Sequence, residues 1–92
     1  MHVHTIQLNI EKLLGGTVHM DASEFGAYMS LIIAAYQSGN QLPNDDKRLA
    51  RMARVTGHKW AKIKDVVLEK FELKGEFYEQ NFIKKDLERM GS

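Results

Sequence analysis

A run of lysine, arginine and histidine side chains lies in the middle of the 92-residue sequence, and these residue types point to the binding of phosphate groups. Cationic side chains along one surface neutralise nucleic-acid phosphates, which gives salt-sensitive affinity without choice of sequence. Base-specific contacts need arginine against guanine or an amide against adenine, and the helix expected around Lys62 offers only lysines and a histidine. We therefore expect weak binding to double-stranded DNA. The predicted DNA-binding residues are Lys47, Arg48, Arg51, Arg54, His58, Lys59, Lys62, Lys70 and Lys74.

The distribution of charge supports this expectation but leaves an alternative open. The formal net charge is +1, yet residues 44–75 carry nine lysines and arginines against five aspartates and glutamates. The flanking segments, 1–43 and 76–92, each carry a small excess of acidic residues. A basic middle third in a near-neutral chain indicates a localised anion-binding face. An ordinary solvated helix surface would give the same pattern.

Catalytic and metal-binding arrangements are poor, so we expect no enzyme, no cofactor and no metal site. The sequence has no cysteine, which excludes disulfides, zinc ribbons and a thiol nucleophile. None of the four histidines lies beside a candidate nucleophile. His2 and His4 could share a strand face and bind a metal ion, but such a pair is more often incidental. The Gly15-Gly16-Thr17 stretch lacks the lysine of a phosphate-binding loop.

Length and composition predict one small globular domain spanning residues 1–92. No apolar run approaches the roughly 18 residues of a membrane span, and the N-terminus lacks the layout of a secretory signal. We therefore expect no membrane contact and a location in the cytoplasm. The final pair Gly91-Ser92 is typical of cloning, so we expect the domain to be the N-terminal fragment of a longer protein.

The first third of the sequence predicts a short strand, one helical turn and a long helix. Residues 3–8 suit a strand, and the turn at residues 11–14 is expected to stop at the two glycines that follow. Asp21 and Glu24 have the spacing of a capping box, and Gly39 is expected to end the helix. Gly26 inside this helix predicts close approach by a neighbouring element. The predicted core stripe is Phe25, Tyr28, Met29, Ile32, Ile33 and Tyr36.

The middle of the sequence predicts two further helices after an extended step at Leu42-Pro43. The second helix is expected over residues 46–54, with Asn44 or Asp45 as its cap. A tight turn at residues 55–57 precedes a third helix over residues 58–71. The core face of this third helix is predicted to consist of Trp60, Ile63, Val67 and Phe71.

The last third predicts a tight hairpin with strands at residues 72–73 and 76–78, then a closing helix over residues 81–90. Phe77 and Tyr78 are adjacent in a strand, so one of them must face outward. The whole order predicts an α+β fold, mostly α: a winged helix-turn-helix with a short N-terminal strand, a β-hairpin wing and a C-terminal helix. Lys74 would then lie at the tip of the wing. A helical bundle with an incidental hairpin would look similar.

From Leu13 onward the sequence resembles the YdaU-like family of short phage and prophage proteins from replication modules. The resemblance rests on residues 16–28 and 41–51, on Trp60, and on residues 67–71 and 77–87. It implies a winged-helix-like N-terminal domain followed by a further region. It also implies origin recognition, or recruitment of a helicase or its loader, for a phage-related element. Phe25, where the family carries a polar or basic residue, and the histidine-rich start depart from the pattern.

Three hypotheses for function follow. The first is a DNA-binding domain of a replication initiator from a phage or phage-related mobile element, which binds origin repeats and dimerises to gain specificity. The second is an adapter that recruits a replicative helicase or helicase loader, and it predicts an exposed apolar patch around Phe77, Tyr78 or Tyr36. The third is a small transcriptional regulator of the same fold.

Overall fold

The computed structural model describes residues 10–90, so the predicted N-terminal strand, His2, His4 and the final Gly91-Ser92 lie outside the described residues. The described chain is α+β and mostly helical, and its three short strands form one antiparallel sheet in the order β1-β3-β2. The elements in chain order are α1 (Ile10–Thr17), α2 (Ala22–Gln37), β1 (Leu42–Pro43), α3 (Asp46–Met52), α4 (Gly57–Leu68), β2 (Glu72–Lys74), β3 (Phe77–Glu79) and α5 (Asn81–Met90).

Helix α1 corrects the expectation that two glycines stop it after one turn. The helix runs through both of them to Thr17. The Thr17 hydroxyl donates to the carbonyl of Leu13 at 2.7 Å, and the N–H of Met20 donates to the carbonyl of Thr17 at 2.9 Å. A glycine in a helix costs only about 1 kcal/mol relative to alanine, so local contacts of this kind can hold the helix together.

Both predicted ends of α2 are confirmed. The Asp21 carboxylate accepts the N–H of Glu24, and the Glu24 carboxylate accepts the N–H of Asp21, each at 2.8 Å, which completes the capping box. At the other end Gly39 has a φ of +71°, a conformation that favours glycine. The N–H of Asn40 then returns to the carbonyl of Ala35 at 2.6 Å. This bond closes the helix.

The buried face of α2 is rotated from the predicted stripe. Ile33 is 46% exposed, and Phe25 and Met29 are only half-buried. No charged residue occurs between Phe25 and Gln37, so periodicity alone could not separate the inner face from the outer one. Gly26 also corrects a prediction, because a Cβ added there would meet no described atom within 4 Å. The buried residues are Ala27, Tyr28, Leu31, Ile32, Ala35 and Tyr36.

The predicted core face of the third helix is confirmed, although its bounds shift. Helix α4 begins at Gly57 and ends at Leu68, and Phe71 is buried just beyond its end. Trp60 is 1% exposed, and its indole N–H donates to the Asp46 carboxylate at 3.1 Å. The packing partners of α4 are α2 and α3. Trp60 therefore belongs to the core and cannot stack on a base.

The hairpin and the closing helix are both present. Leu42 pairs with Tyr78 and Pro43 with Phe77, which adds the extended step to the sheet as a third strand. Lys74 is the last residue of β2 and pairs with Phe77, so the turn consists of Gly75 and Glu76 and the predicted tip position of Lys74 is wrong by one residue. Gly75 supplies the positive φ of +66° that this turn needs. Phe77 is the outward side chain, 41% exposed, whereas Tyr78 packs against the core.

A buried polar pair ties the ends of three helices together. The amide of Asn40 donates to the carbonyl of Gln80 at 3.0 Å, and its oxygen accepts the N–H of Gln80 at 2.9 Å. The side-chain amide of Gln80 donates to the carbonyl of Lys70 at 2.8 Å and to the hydroxyl of Tyr28 at 3.3 Å. Because buried polar groups need partners, this network fixes how α5 starts relative to α2 and α4.

Candidate nucleic-acid interface

Seven of the nine predicted DNA-binding residues lie on α3, on the turn that follows it and on the first half of α4. These two helices pack against each other through their apolar faces. The seven side chains are exposed, apart from Lys59, which is half-buried. We call this set the basic helix surface. It consists of Lys47, Arg48, Arg51, Arg54, His58, Lys59 and Lys62.

Side-chain caps position the basic residues at the start of both helices. The Asp45 carboxylate accepts the N–H groups of Lys47 at 3.0 Å and Arg48 at 3.2 Å, which confirms Asp45 as the cap of α3. The Thr56 hydroxyl accepts the N–H of Lys59 at 3.1 Å and caps α4 in the same way. These bonds satisfy helix N–H groups that would otherwise lack partners. The backbone that carries the cations is thereby fixed at both helix starts.

Arg54 occupies an unusual backbone position at the end of α3. Its φ is +63°, in the left-handed region where glycine is normally found. The N–H of Val55 donates to the carbonyl of Ala50 at 3.0 Å across this residue, so the chain turns sharply towards α4. A non-glycine residue in this conformation costs about 1–2 kcal/mol. The side chain itself is exposed.

The members of the basic helix surface differ from some other cations of the described chain in having no ion-pair partner. Within residues 10–90, none of its seven members forms an ion pair with a carboxylate. Lys64, on the same helix, differs because its ammonium lies 3.2 Å from the Asp46 carboxylate. The hydrogen bonds from Trp60 and from Lys64 lower the pKa of Asp46. Asp46 therefore stays ionised and pairs with Lys64, whereas the seven members of the basic helix surface form no such pair.

The remaining two predicted residues do not join this surface. Lys70 follows the end of α4, about 15–18 Å from His58 along the helix direction. Lys74 lies in the hairpin, 3.3 Å from the Glu79 carboxylate and 3.7 Å from that of Glu72. The hydrogen bond to Glu79 raises the pKa of Lys74, so its charge is held between two carboxylates.

The outward stripe of α4 reverses its charge halfway along the helix. His58, Lys62, Asp65 and Glu69 fall within one arc opposite the buried Trp60. The first two are basic and the last two are acidic, and all four are exposed. An open groove of about 310 Å³ adjoins the acidic half. Its lining residues are Asn44, Asp46, Lys64, Asp65, Leu68, Glu69 and Tyr78.

The charge reversal on α4 follows from helical spacing in the sequence. The pairing of the charged residues in the hairpin does not follow from the sequence in this way. The wheel that places Trp60 inward also places Asp65 and Glu69 in line with Lys62. The pairing of Lys74 with Glu79 depends on the register of β2 and β3, which requires the turn to be located to the residue.

Metal-binding clusters and membrane-spanning helices are two further features that the described part of the chain lacks. Across residues 10–90 no group of three or more histidine, aspartate or glutamate side chains is placed to hold a metal ion. None of the five helices in that range is both long enough and apolar enough to cross a membrane.

Comparison with known proteins finds a similar protein and a matching family. The chain is 37% identical over 82 residues to "Uncharacterized protein YdaU" of Escherichia coli (strain K12). That alignment covers 89% of this chain and 28% of the relative, so the chain spans little more than a quarter of that protein's length. No solved structure matches the chain. Residues 4–88 match the family described as "Protein of unknown function (DUF1376)", and the chain therefore belongs to that family.

Proposed function

We propose that this domain binds double-stranded DNA through phosphate contacts made by the basic helix surface. The observation that carries the proposal is that seven basic side chains lie on two adjoining helices and the turn between them, and none of the seven forms an ion pair within residues 10–90. Such a surface attracts a polyanion and releases its counterions. Because α4 presents no arginine, asparagine or glutamine, contacts to base edges contribute little to the affinity.

The order of elements supports a winged-helix identity for the fold. A helix, a short strand, two helices and a hairpin follow one another in the chain, and the first strand pairs with the last in the order β1-β3-β2. In a winged helix the second helix of the helix-turn-helix faces DNA. Helix α4 would be that helix in this domain, and its first half carries three members of the basic helix surface.

The biological setting follows from the resemblance to phage replication-module proteins. We infer that the domain is the DNA-binding part of a replication initiator in a phage or phage-related element. Since one domain with phosphate contacts discriminates sequences poorly, a dimer on repeated sites would supply the specificity. The further region that the resemblance implies would supply the remaining activity.

Fluorescence anisotropy with a labelled duplex tests the proposal. The titration is made at about 50 and 200 mM salt. One duplex comes from the replication origin of the element that encodes the protein, and the other is a scrambled duplex of the same length. Affinity should fall steeply with salt. A plot of the logarithm of the binding constant against the logarithm of the salt concentration should have a negative slope of about one unit for each phosphate contact. Lys59→Ala with Lys62→Ala should weaken binding and reduce the slope by about two.

Lys84→Ala with Lys85→Ala is the matched control. Both lysines are exposed on α5, which carries no member of the basic helix surface, so the same loss of charge should leave affinity nearly unchanged. Equal losses in the two double variants would mean that only net charge matters. Absence of binding at either salt concentration would exclude this function for the isolated domain.

An adapter function is the second candidate, and the exposure of Phe77 favours it. Phe77 is 41% exposed on the outer face of the sheet and pairs with Pro43 and Lys74 on either side. An exposed aromatic ring offers apolar area that a partner protein can bury, and Phe residues contribute strongly to interface energies. If a replicative helicase or its loader docks there, Phe77→Ala should abolish that complex and leave DNA affinity unchanged.

A further inference from the structure

The hairpin of β2 and β3 carries an excess of negative charge in spite of Lys74. Glu72 and Glu79 are directly opposite each other in the ladder, and Lys74 bridges both of them. Glu76 in the turn forms no ion pair with any described residue. One cation thus faces three carboxylates, and its charge is already shared between two of them. Electrostatically, the hairpin is an anionic element.

This anionic element borders the basic helix surface. The carbonyl of Glu76 accepts the N–H of Asn44 at 3.1 Å, and the next residue, Asp45, caps α3. The acidic turn therefore lies at the end of α3 that carries Lys47 and Arg48. On α4 the outward stripe becomes acidic immediately after Lys62. We call the acidic set along this border the acidic edge. It consists of Asp65, Glu69, Glu72, Glu76 and Glu79.

We infer that the hairpin repels DNA, so that the acidic edge confines the duplex to α3, the following turn and the first half of α4. The inference deepens the proposed DNA-binding function and rests on it. A phosphate that approaches the hairpin meets uncompensated carboxylate charge, whereas one that approaches Arg48, Arg51 or Lys62 meets unpaired cations. The wing thereby sets the position of the duplex by exclusion and makes no contact with it.

The first measurement locates the hairpin relative to bound DNA. The chain has no cysteine, so single-cysteine variants carry one photo-crosslinker each. Ala61→Cys lies one turn after His58 at an exposed position in the first half of α4, and Phe77→Cys lies at an exposed position of the hairpin and keeps all of its carboxylates. With the duplex bound, the probe at position 61 should crosslink to DNA and the probe at position 77 should not. Equal crosslinking at the two positions would overturn the inference.

The second measurement tests the repulsion itself. Glu76→Gln removes one charge and leaves the bridges of Lys74 intact, so it should tighten duplex binding about two- to four-fold at about 50 mM salt. The gain should shrink at about 200 mM salt, because screening weakens interactions across the gap. Glu88→Gln, at an exposed position on α5, is the matched control and should change little.

The outcomes separate the inference from the function on which it rests. No binding by the wild-type domain would remove the proposed DNA-binding function. Wild-type binding with an unchanged affinity for Glu76→Gln, or a looser one, would overturn the repulsive hairpin alone. Circular dichroism of each variant shows whether the fold is retained, and an exposed turn position makes loss of the fold unexpected.

Discussion

Replacing Tyr36 by phenylalanine removes one hydroxyl group and should destabilise the domain in a way that depends on pH. Tyr36 is 2% exposed in α2, and its hydroxyl donates to the Asp86 carboxylate of α5 at 2.7 Å. The two residues are 50 positions apart, so the bond holds the closing helix against the core. Asp86 also accepts a hydrogen bond from Arg89. Phenylalanine keeps the ring and its packing, so the substitution isolates the hydroxyl.

The expected loss is about 2 kcal/mol at pH 7. A hydrogen bond to a charged group contributes about 1.5–3 kcal/mol to stability. The Asp86 side chain is 14% exposed and keeps Arg89 as a partner, which places the loss below the upper end of that range. For a domain of this size, 2 kcal/mol corresponds to a melting temperature about 8–16 °C lower.

The pH dependence follows from the ionisation of Asp86. The hydrogen bond from Tyr36, and then that from Arg89, lower the pKa of Asp86 in the folded state. The unfolded chain therefore binds a proton more readily than the folded one, and acid favours unfolding. The stabilisation is complete above the unfolded pKa of about 3.9 and is lost as the pH falls through the lower folded pKa. The difference between wild type and Tyr36→Phe should shrink below about pH 4 for this reason.

Urea unfolding monitored by the fluorescence of Trp60 measures this difference, because Trp60 is the single tryptophan and is buried. The control is Tyr28→Phe on the same helix, where the hydroxyl accepts a neutral bond from Gln80 at 3.3 Å. That change should cost about 0.5–1 kcal/mol with no dependence on acid. A double-mutant cycle with Asp86→Ala gives the coupling energy. A cost for Tyr36→Phe that stays the same from pH 7 to pH 3 would refute the reasoning.

Three further substitutions test other parts of the structure. Gly26→Ala should stabilise the domain by about 1 kcal/mol, because a Cβ there meets no described atom within 4 Å. A lower melting temperature for the variant would mean that another part of the chain packs closely against Gly26. Asn40→Gly keeps the φ of +65° accessible but removes both bonds to Gln80, so the free energy of unfolding should fall by about 1–2 kcal/mol in urea titrations. Arg54→Gly should raise stability by up to about 1 kcal/mol and weaken duplex binding in anisotropy titrations, since it relieves a φ of +63° and removes a member of the basic helix surface.

Signals that act within a few residues made much of the fold predictable. The capping box of Asp21 and Glu24 fixed the start of α2, and the spacing of Trp60, Ile63 and Val67 fixed the inner face of α4. Each of these patterns is decided by neighbours on one helix, so the sequence contains the whole cause. Proline after Leu42 likewise made the extended step predictable.

Contacts between distant residues were not predictable from the same patterns. The Asn40–Gln80 pair spans 40 positions, and the Tyr36–Asp86 bond spans 50, so neither leaves a periodic trace. The inner face of α2 was misplaced at Ile33 because packing against α4, and not polarity, selects that face. For the candidate site, residue types were sufficient to find the basic helix surface. The pairing of Lys74 needed the strand register.

The near-zero net charge of the chain favours an adapter over a DNA-binding domain, but the uneven distribution of charge in the structure weakens that reasoning. Net charge sums over all surfaces, whereas a duplex responds to the charge within about a Debye length of the phosphates, roughly 10 Å at 0.1 M salt. The cations lie on α3, the turn that follows it and the first half of α4, and the carboxylates of α4 lie in its second half, so a duplex centred on α3 and the start of α4 is closer to the cations than to Asp65 and Glu69. The exposed Phe77 lies on the hairpin, beyond the acidic edge. DNA on the basic helix surface would therefore leave Phe77 free for a protein, and one domain of 92 residues could serve both proposed functions at once.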